Sequence, residues 1–570
     1  MKQRSLFPAL IIFILLLADI SFAQALKFQN YADESRSIND LKSKYGSLCK
    51  VHEIGKSAAG RLIYALEIGT GDSSRKPSLL VIAGVEPDDI TGPVAARVFA
   101  EKILSGSAAD SVKTLLGKYT LYVIPRLSPD PLESYFAKVK MMRAGNDLKD
   151  DQDKDGKNDE DPYNDLNGDN IITMMRILDP NGEWIESIED PMLMKKADPK
   201  KGEIGKYKIL VEGLDDDKDG EVNEDPAGGI NVNKNGTNNF KPYTDDGGLH
   251  PFIADEMRAL GEFVFNRPNI LAVFTFNYHN NISEPWKIRP QQTQTPPQGG
   301  AMGGGRGGFG GGNMFLADSI SYSVAVKELA PLSKFKGDQL NQGSIAGWAF
   351  YDAGRLSFSA PAWSYAEARD TSRARQMTRG QMPQGMGAPQ ASASREQTAF
   401  RWIKKNAPQN YIAWKEFKHP DFPNNKVEIG GFVPFVQNNP PEDSLVAAAA
   451  VSEKLLMKLF KSLPEIEVET PVVELLGNGV SRVTLTISNK GKLPTHTTVG
   501  RRVKSLQSFL IKTKLSGDQK IVSGRKVTFI DEPIPGQGKI SRTFLIVGKG
   551  KVEFNIGNPT AGYKDVSVQL

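Results

Sequence analysis

Two stretches of the chain crowd carboxylates at a spacing that suits a hard cation. Asp151 to Pro162 reads DQDKDGKNDEDP, and Asp215 to Pro226 reads DDDKDGEVNEDP. In each, aspartate holds the first, third and fifth places, glycine the sixth, and an acid or amide the ninth. That alternation turns oxygens toward one centre, and the glycine permits the sharp turn between them. Carboxylates this close repel one another unless a cation neutralises them. Calcium is the expected ion, because it accepts about six to eight hard oxygens in loose geometry. The candidate ligands are Asp151, Asp153, Asp155 and Asp159 in the first copy, and Asp215, Asp217, Asp219 and Asn223 in the second.

Both copies depart from the EF-hand pattern at the twelfth place, which is proline. The bidentate glutamate is therefore absent, or supplied by Glu160 or Asp161 and by Glu224 or Asp225. The flanking helices of that motif are not expected either. A third run, Asp165-Leu166-Asn167-Gly168-Asp169, follows the first copy and resembles a dockerin-type calcium loop, adding Asp165, Asn167 and Asp169 to the ligand set. A solvated acidic loop is the alternative for any one copy; two aligned copies and a neighbour favour calcium.

The elements around this insert have the texture of an α/β domain. Ser78 to Gly84 (SLLVIAG) and Tyr119 to Ile124 (YTLYVI) are short apolar runs, and Pro93 to Leu104 between them has helical spacing. Strand, helix, strand is the unit of an α/β sheet. The pattern returns in a helix striped by Ile253, Met257, Leu260 and Val264, then in a strand from Leu271 to Phe276. Leu356 to Ala360 is a further candidate strand, and Asp443 to Leu463 is a long helix expected to close the domain. After Pro464 the runs become short and alternating, as in Arg482 to Ser488, Ser508 to Leu515, Lys526 to Ile530 and Arg542 to Val547, with no helical period. The expected architecture is a mixed twisted sheet flanked by helices over 28–463, with an acidic insert at 147–226, followed by an immunoglobulin-like β-sandwich over 466–570. Residues 291–313 and 376–397 are rich in Gly, Pro, Gln, Met and Ser and are expected to remain mobile surface loops.

The ends of the composition bound the setting. Lys2 and Arg4, the apolar run Leu6 to Leu17 and the small residues Ser21-Phe22-Ala23 predict a secretory signal peptide over 1–23. The run is too short for a membrane anchor and its far flank carries no positive stop. The expectation is an exported protein, periplasmic or extracellular, with no membrane span after signal removal. A net charge of +4 is nearly balanced for this length, which argues against a nucleic-acid partner. The lone Cys49 excludes an internal disulfide, so a large core, bound metal or both must hold the fold.

Five segments in order carry a resemblance. They are IAGVEPDDITGP at 82–93, IPRLSPDPLE at 124–133, GGINVNKNGTNNF at 228–240, GGLHPFIADEMRAL at 247–260 and GWAF at 347–350. Together they resemble the zinc carboxypeptidases of the carboxypeptidase A type, over roughly Tyr31 to Leu463. The resemblance implies a mixed sheet between helices with the active site at the strand ends. It also implies removal of a C-terminal residue from a peptide by a zinc-activated water. Such a site needs imidazoles and a carboxylate on the metal, one open position, and a separate glutamate as base.

Carried across residue by residue, the family's positions are altered. The first zinc histidine falls on Glu86, its paired glutamate on Asp89 and the second histidine on Asn277. The general-base glutamate falls on Pro361, which cannot take a proton. The substrate-gripping Asn-Arg pair falls on Asn233 and Lys234, and Arg143 resembles a surviving cleft arginine. The specificity-loop tyrosine has no clear counterpart, Gln339 being nearest. Of the five histidines, His52, His250, His279, His419 and His496, none begins a His-x-x-Glu. A register slip of two would bring His279 to the ligand position while preserving strand facing. Zinc, though implied by the family, is therefore in doubt. The leading expectation is a non-catalytic relative that binds a peptide or cell-envelope ligand. One alternative is an active metallocarboxypeptidase using Glu86, Asp89 and His279 with Glu284 or Glu367 as base. The other is a calcium-stabilised structural or adhesive envelope protein.

Overall fold

The computed structural model describes residues 26–149, 151, 155–226, 228–244, 246–283, 285–286, 316–333, 335, 337, 340, 342–365 and 394–570. The expected signal peptide, the 291–313 loop, Asp153, Glu284, Gln339 and Glu367 lie outside these residues. Among the described residues no helix is long and apolar enough to cross a membrane.

The first core is a six-stranded sheet in the order Cys49–Lys56, Leu62–Ile68, Thr120–Ile124, Ser78–Ile82, Ile270–Phe276, Leu356–Ala360. The first two strands are antiparallel to their neighbours, and the last four run parallel. Ser78–Ile82, Thr120–Ile124 and Ile270–Phe276 are buried at every position, as strands covered on both faces must be. Alternation splits their side chains between two clusters. Leu79, Val81, Leu121, Val123 and Phe274 pack under the Thr91–Ser105 and Leu445–Phe460 helices. Leu80, Ile82, Tyr122 and Val273 pack with Met257, Leu260 and Val264 of the Asp255–Phe265 helix and with Trp348. The strands and helices read from apolar spacing are all present here, with ends moved by up to three residues.

A second six-stranded sheet has no counterpart in the expected architecture. Its order is Tyr411–Phe417, Val427–Phe432, Met174–Leu178, Tyr207–Val211, Trp184–Glu186, Met194–Lys196, antiparallel throughout. Met175, Ile177, Val427 and Ile429 form its small core. On the opposite face Arg176 lies between the Tyr207 and Trp414 rings and bonds Glu428 at 2.8 Å. The expected mobile stretch 376–397 also needs correction at its end. Ser394 and Gln397 form a reciprocal capping box that starts the Arg395–Asn406 helix.

The carboxyl-terminal unit is a β-sandwich. One sheet joins Ile466–Val468 and Val472–Gly477 to Val480–Asn489, then Lys539–Val547 and Lys520–Ser523. The other runs Val527–Ile530, Phe509–Lys514, Lys551–Asn558, Gly562–Gln569. Contrary to the expectation of no helix, Thr498–Arg502 forms one short turn of helix capped by Thr497. That turn is where the sandwich meets the first core. Buried Asp318 accepts from Thr498 N at 2.7 Å and Val499 N at 2.9 Å, and Thr497 Oγ1 donates to Gly354 O at 2.6 Å.

Candidate functional site

The four parallel strands end along one edge of the first sheet, the place where α/β sheets usually carry their sites. Ser78–Ile82 leads into the loop bearing Glu86, Asp88 and Asp89. Ile270–Phe276 leads into Asn277, Tyr278 and His279, and Leu356–Ala360 into Pro361. Strand register sets Ile82 beside Thr275 and Ala360 beside Phe276, so the aligned zinc and base positions do leave neighbouring strand ends.

Two of these side chains, Glu86 and Asp89, are spent on the protein itself. Glu86 is 4% exposed, and its Oε1 accepts from Asn233 Nδ2 at 2.7 Å. Asn233 in turn accepts from Ile345 N at 3.0 Å. Asp89 is 3% exposed, and its Oδ1 accepts from Thr91 N at 3.1 Å and Gly92 N at 2.8 Å, holding the start of the Thr91–Ser105 helix. Its Oδ2 lies so close to Gly92 that a Cβ there would come within 2.4 Å, so the helix start requires glycine. Asn277 is 1% exposed, and neither amide atom has a hydrogen-bond partner among the described residues. The His279 Nε2 accepts from the Trp286 indole at 3.0 Å, and the two rings stack. Pro361 is buried beyond the strand end.

The assigned substrate groups are likewise engaged. Asn233 is 1% exposed and holds Glu86 rather than facing a ligand. Lys234 pairs with Asp246, and Arg143 pairs with Asp147. Arg143 also lies against Gly228, where a Cβ would meet its Nε at 3.2 Å.

Between the zinc positions stands Asp88, which no motif position singled out. The structure buries it to 8% exposure. Tyr278 donates its hydroxyl to Asp88 Oδ1 at 2.7 Å, and Asn438 donates to Oδ2 at 2.5 Å. Asn439 donates to the Asp88 carbonyl at 2.7 Å, and its Oδ1 accepts from Ile90 N, Thr91 N and Thr91 Oγ1. The Arg395 guanidinium sits 4.3 Å from the Tyr278 ring centre and donates to Asn438 Oδ1 at 3.3 Å. Tyr278 and Asn438 carry no motif signal; the tyrosine's place one residue past Asn277 was the available clue.

Burial dominates the electrostatics. It pushes Glu86 up to about 7, with the Asp88 charge adding to the effect. It also pushes Asp89 up to about 7 and raises Asp88, while Arg395 pulls both back. These residues do not fit zinc. No imidazole or thiolate stands at the aligned ligand positions, two carboxylate oxygens are committed to N–H donors, and an amide is a poor substitute for histidine. Nor do three His, Cys, Asp or Glu ligand atoms converge here among the described residues.

Such convergence occurs instead in the acidic insert, where Asp155, Glu160 and Asp217 form one group and Asp215, Asp217 and Asp219 another, each within 4.8 Å. The two loops also grip one another. Asp161 accepts from Asp216 N and Asn223 N, and Asp225 accepts from Asp159 N. Asp151 and Asp215 accept from Gly156 N and Gly220 N of their own loops. Asp165 accepts from Gly168, Asp169 and Asn170 N, Asn167 accepts from Asp169 N, and Asp169 accepts from Ile171 N, so this third run stands outside both groups. Asp159 and Asn223, at the ninth places, both adopt positive φ, and Asp159 stands outside both groups.

Comparison with known proteins gives two family matches. Residues 35–298 match the family model described as zinc carboxypeptidase, and 465–569 match one described as a domain of unknown function (DUF8731). No curated protein matches the sequence. Among solved structures, thrombin activatable fibrinolysis inhibitor aligns at 10% identity and TM-score 0.41, over 77% of this chain and 75% of that one. Carboxypeptidase A from Helicoverpa armigera aligns at 12% identity and TM-score 0.33, over 63% and 72%.

Proposed function

Residues 35–298 belong to the zinc carboxypeptidase family, and from that premise we propose that this chain is an exported, non-catalytic relative that recognises a peptide or cell-envelope ligand without cutting it. One observation carries the proposal. Glu86, Asp89, Asn277 and Pro361, which the sequence resemblance aligns with the four metal and base positions, are all buried, and Glu86 and Asp89 are bonded internally. Hydrolysis in this family requires a polarising metal, a base beside the water and a cation on the terminal carboxylate, acting as a unit. Pro361 removes the base outright. Recognition has a chemical basis in the positive charges of Lys234 and Arg143, each paired with an aspartate in the free protein. Export is supported by the amino-terminal charge and apolar pattern.

The test is the full chain, assayed with added zinc on peptides ending in varied C-terminal residues. No turnover and no stoichiometric zinc are expected. Turnover abolished by Glu86→Ala and Asp89→Ala would overturn the non-catalytic reading.

A second reading concerns calcium. Asp155 and Glu160 of one loop meet Asp217 of the other within ligand distance. This supports calcium as the ion that neutralises the insert and joins its two halves.

A further inference from the structure

The mismatch between the family's zinc and this strand-end edge points to a replacement rather than a simple loss. Three buried carboxylates, Glu86, Asp88 and Asp89, crowd one loop. Buried charge of one sign demands a compensating group. The described residues supply hydrogen-bond donors to each: Asn233 to Glu86, Tyr278 and Asn438 to Asp88, and Thr91 and Gly92 backbone to Asp89. They also supply a cation from a distant part of the sequence. Arg395, the first residue of the Arg395–Asn406 helix, stacks over Tyr278 and bonds Asn438, the two side chains that donate to Asp88.

We infer that Arg395 supplies the positive charge that zinc supplies elsewhere in the family, closing the strand-end site as a metal-free hub centred on Asp88. This rests on the non-catalytic reading and goes beyond it, because a site that had merely lost its metal would not need a cation carried in by another element. A planar guanidinium suits the role: it stacks on an aromatic face and donates in its own plane at once, which an ammonium does less well. Arg395 is a positioning residue here. Its charge fixes Tyr278 and Asn438 on Asp88, and through Asn439 the same loop holds the start of the Thr91–Ser105 helix.

The experiment is a double-mutant cycle on the full-length protein at constant calcium, read by thermal midpoint. Arg395→Gln is expected to lower the midpoint by several degrees, and Arg395→Lys to recover about half of that loss. In an Asp88→Asn background the Arg395→Gln loss should shrink at least twofold, since the charge to be compensated is gone. Should Arg395→Gln fail to fold, Asp88→Asn is expected to restore soluble protein, and no restoration overturns the inference. Equal losses from Lys and Gln, or an additive cycle, would make Arg395 a packing residue and overturn it too. The non-catalytic reading is judged separately, by zinc content and by the effect of phenanthroline, which removes zinc and leaves calcium. One equivalent of zinc, with a midpoint that falls on its removal, would overturn that reading; unchanged melting with no zinc supports both.

Discussion

Glu86 illustrates how a changed residue changes its own chemistry. Where the family places an imidazole, this chain places a carboxylate that is buried and bonded to Asn233. Burial raises it from an ordinary 4.5 to about 7, so the folded state holds a proton more tightly than the unfolded chain. Its contribution to stability is therefore full below about pH 4 and is lost as pH rises through about 7. Glu86→Gln keeps an oxygen for Asn233 and removes the charge. It should raise the stability at pH 8, by roughly 3 kcal/mol at most at about 1.4 kcal/mol per pKa unit, and leave it unchanged at pH 4. Thermal melts of both proteins across pH 4–8 check this; an equal effect at both ends would mean that charge burial is not the cause.

At the scale of elements, the two acidic loops act as a pair. Asp161 of the first and Asp225 of the second make equivalent bonds into the opposite loop. Asp217 belongs to both groups of converging carboxylates. If calcium neutralises them, it binds the folded protein and adds about 2.7 kcal/mol at a hundredfold excess over Kd. The expected outcome is a higher melting temperature with calcium and protease cleavage near Asp155 after chelation, with Asp217→Ala removing the calcium response. Identical melting in calcium and in chelator would reject the loops as calcium sites.

The whole molecule is tied together through the sandwich. Asp318, fully buried, caps the Thr498–Arg502 turn, and Glu328 pairs with both Lys458 and Lys492. Arg355, buried between the two units, reaches Ser505 O and Val264 O, and burial pulls it down to about 9. Leu493 and Val499 of the sandwich side join the core that underlies the Thr91–Ser105 helix. The two units should therefore unfold together. Asp318→Ala strands two N–H groups and should cost about 3 kcal/mol, lowering a single calorimetric transition. Two separate transitions, with only one of them moved, would show that the sandwich is an independent module.

Apolar periodicity by itself determined the four parallel strands of the central sheet, three of its helices and four strands of the sandwich, because burial is a local demand that each segment must meet with its own side chains; the antiparallel pair Cys49–Lys56 and Leu62–Ile68 was not read. Motif order likewise carried the resemblance to zinc carboxypeptidases, whose family model matches residues 35–298. The second sheet was not legible. Its strands are short, carry charges and pair across more than two hundred residues, from Met174–Leu178 to Val427–Phe432. The site's inner partners were hidden for the same reason. Nothing near Asp88 in sequence announces Tyr278, Arg395, Asn438 or Asn439, yet these decide whether its carboxylate faces water or the protein. A zinc ligand is recognised by its own type and spacing; a buried charge is compensated by whatever the fold brings beside it, and that only the tertiary structure decides.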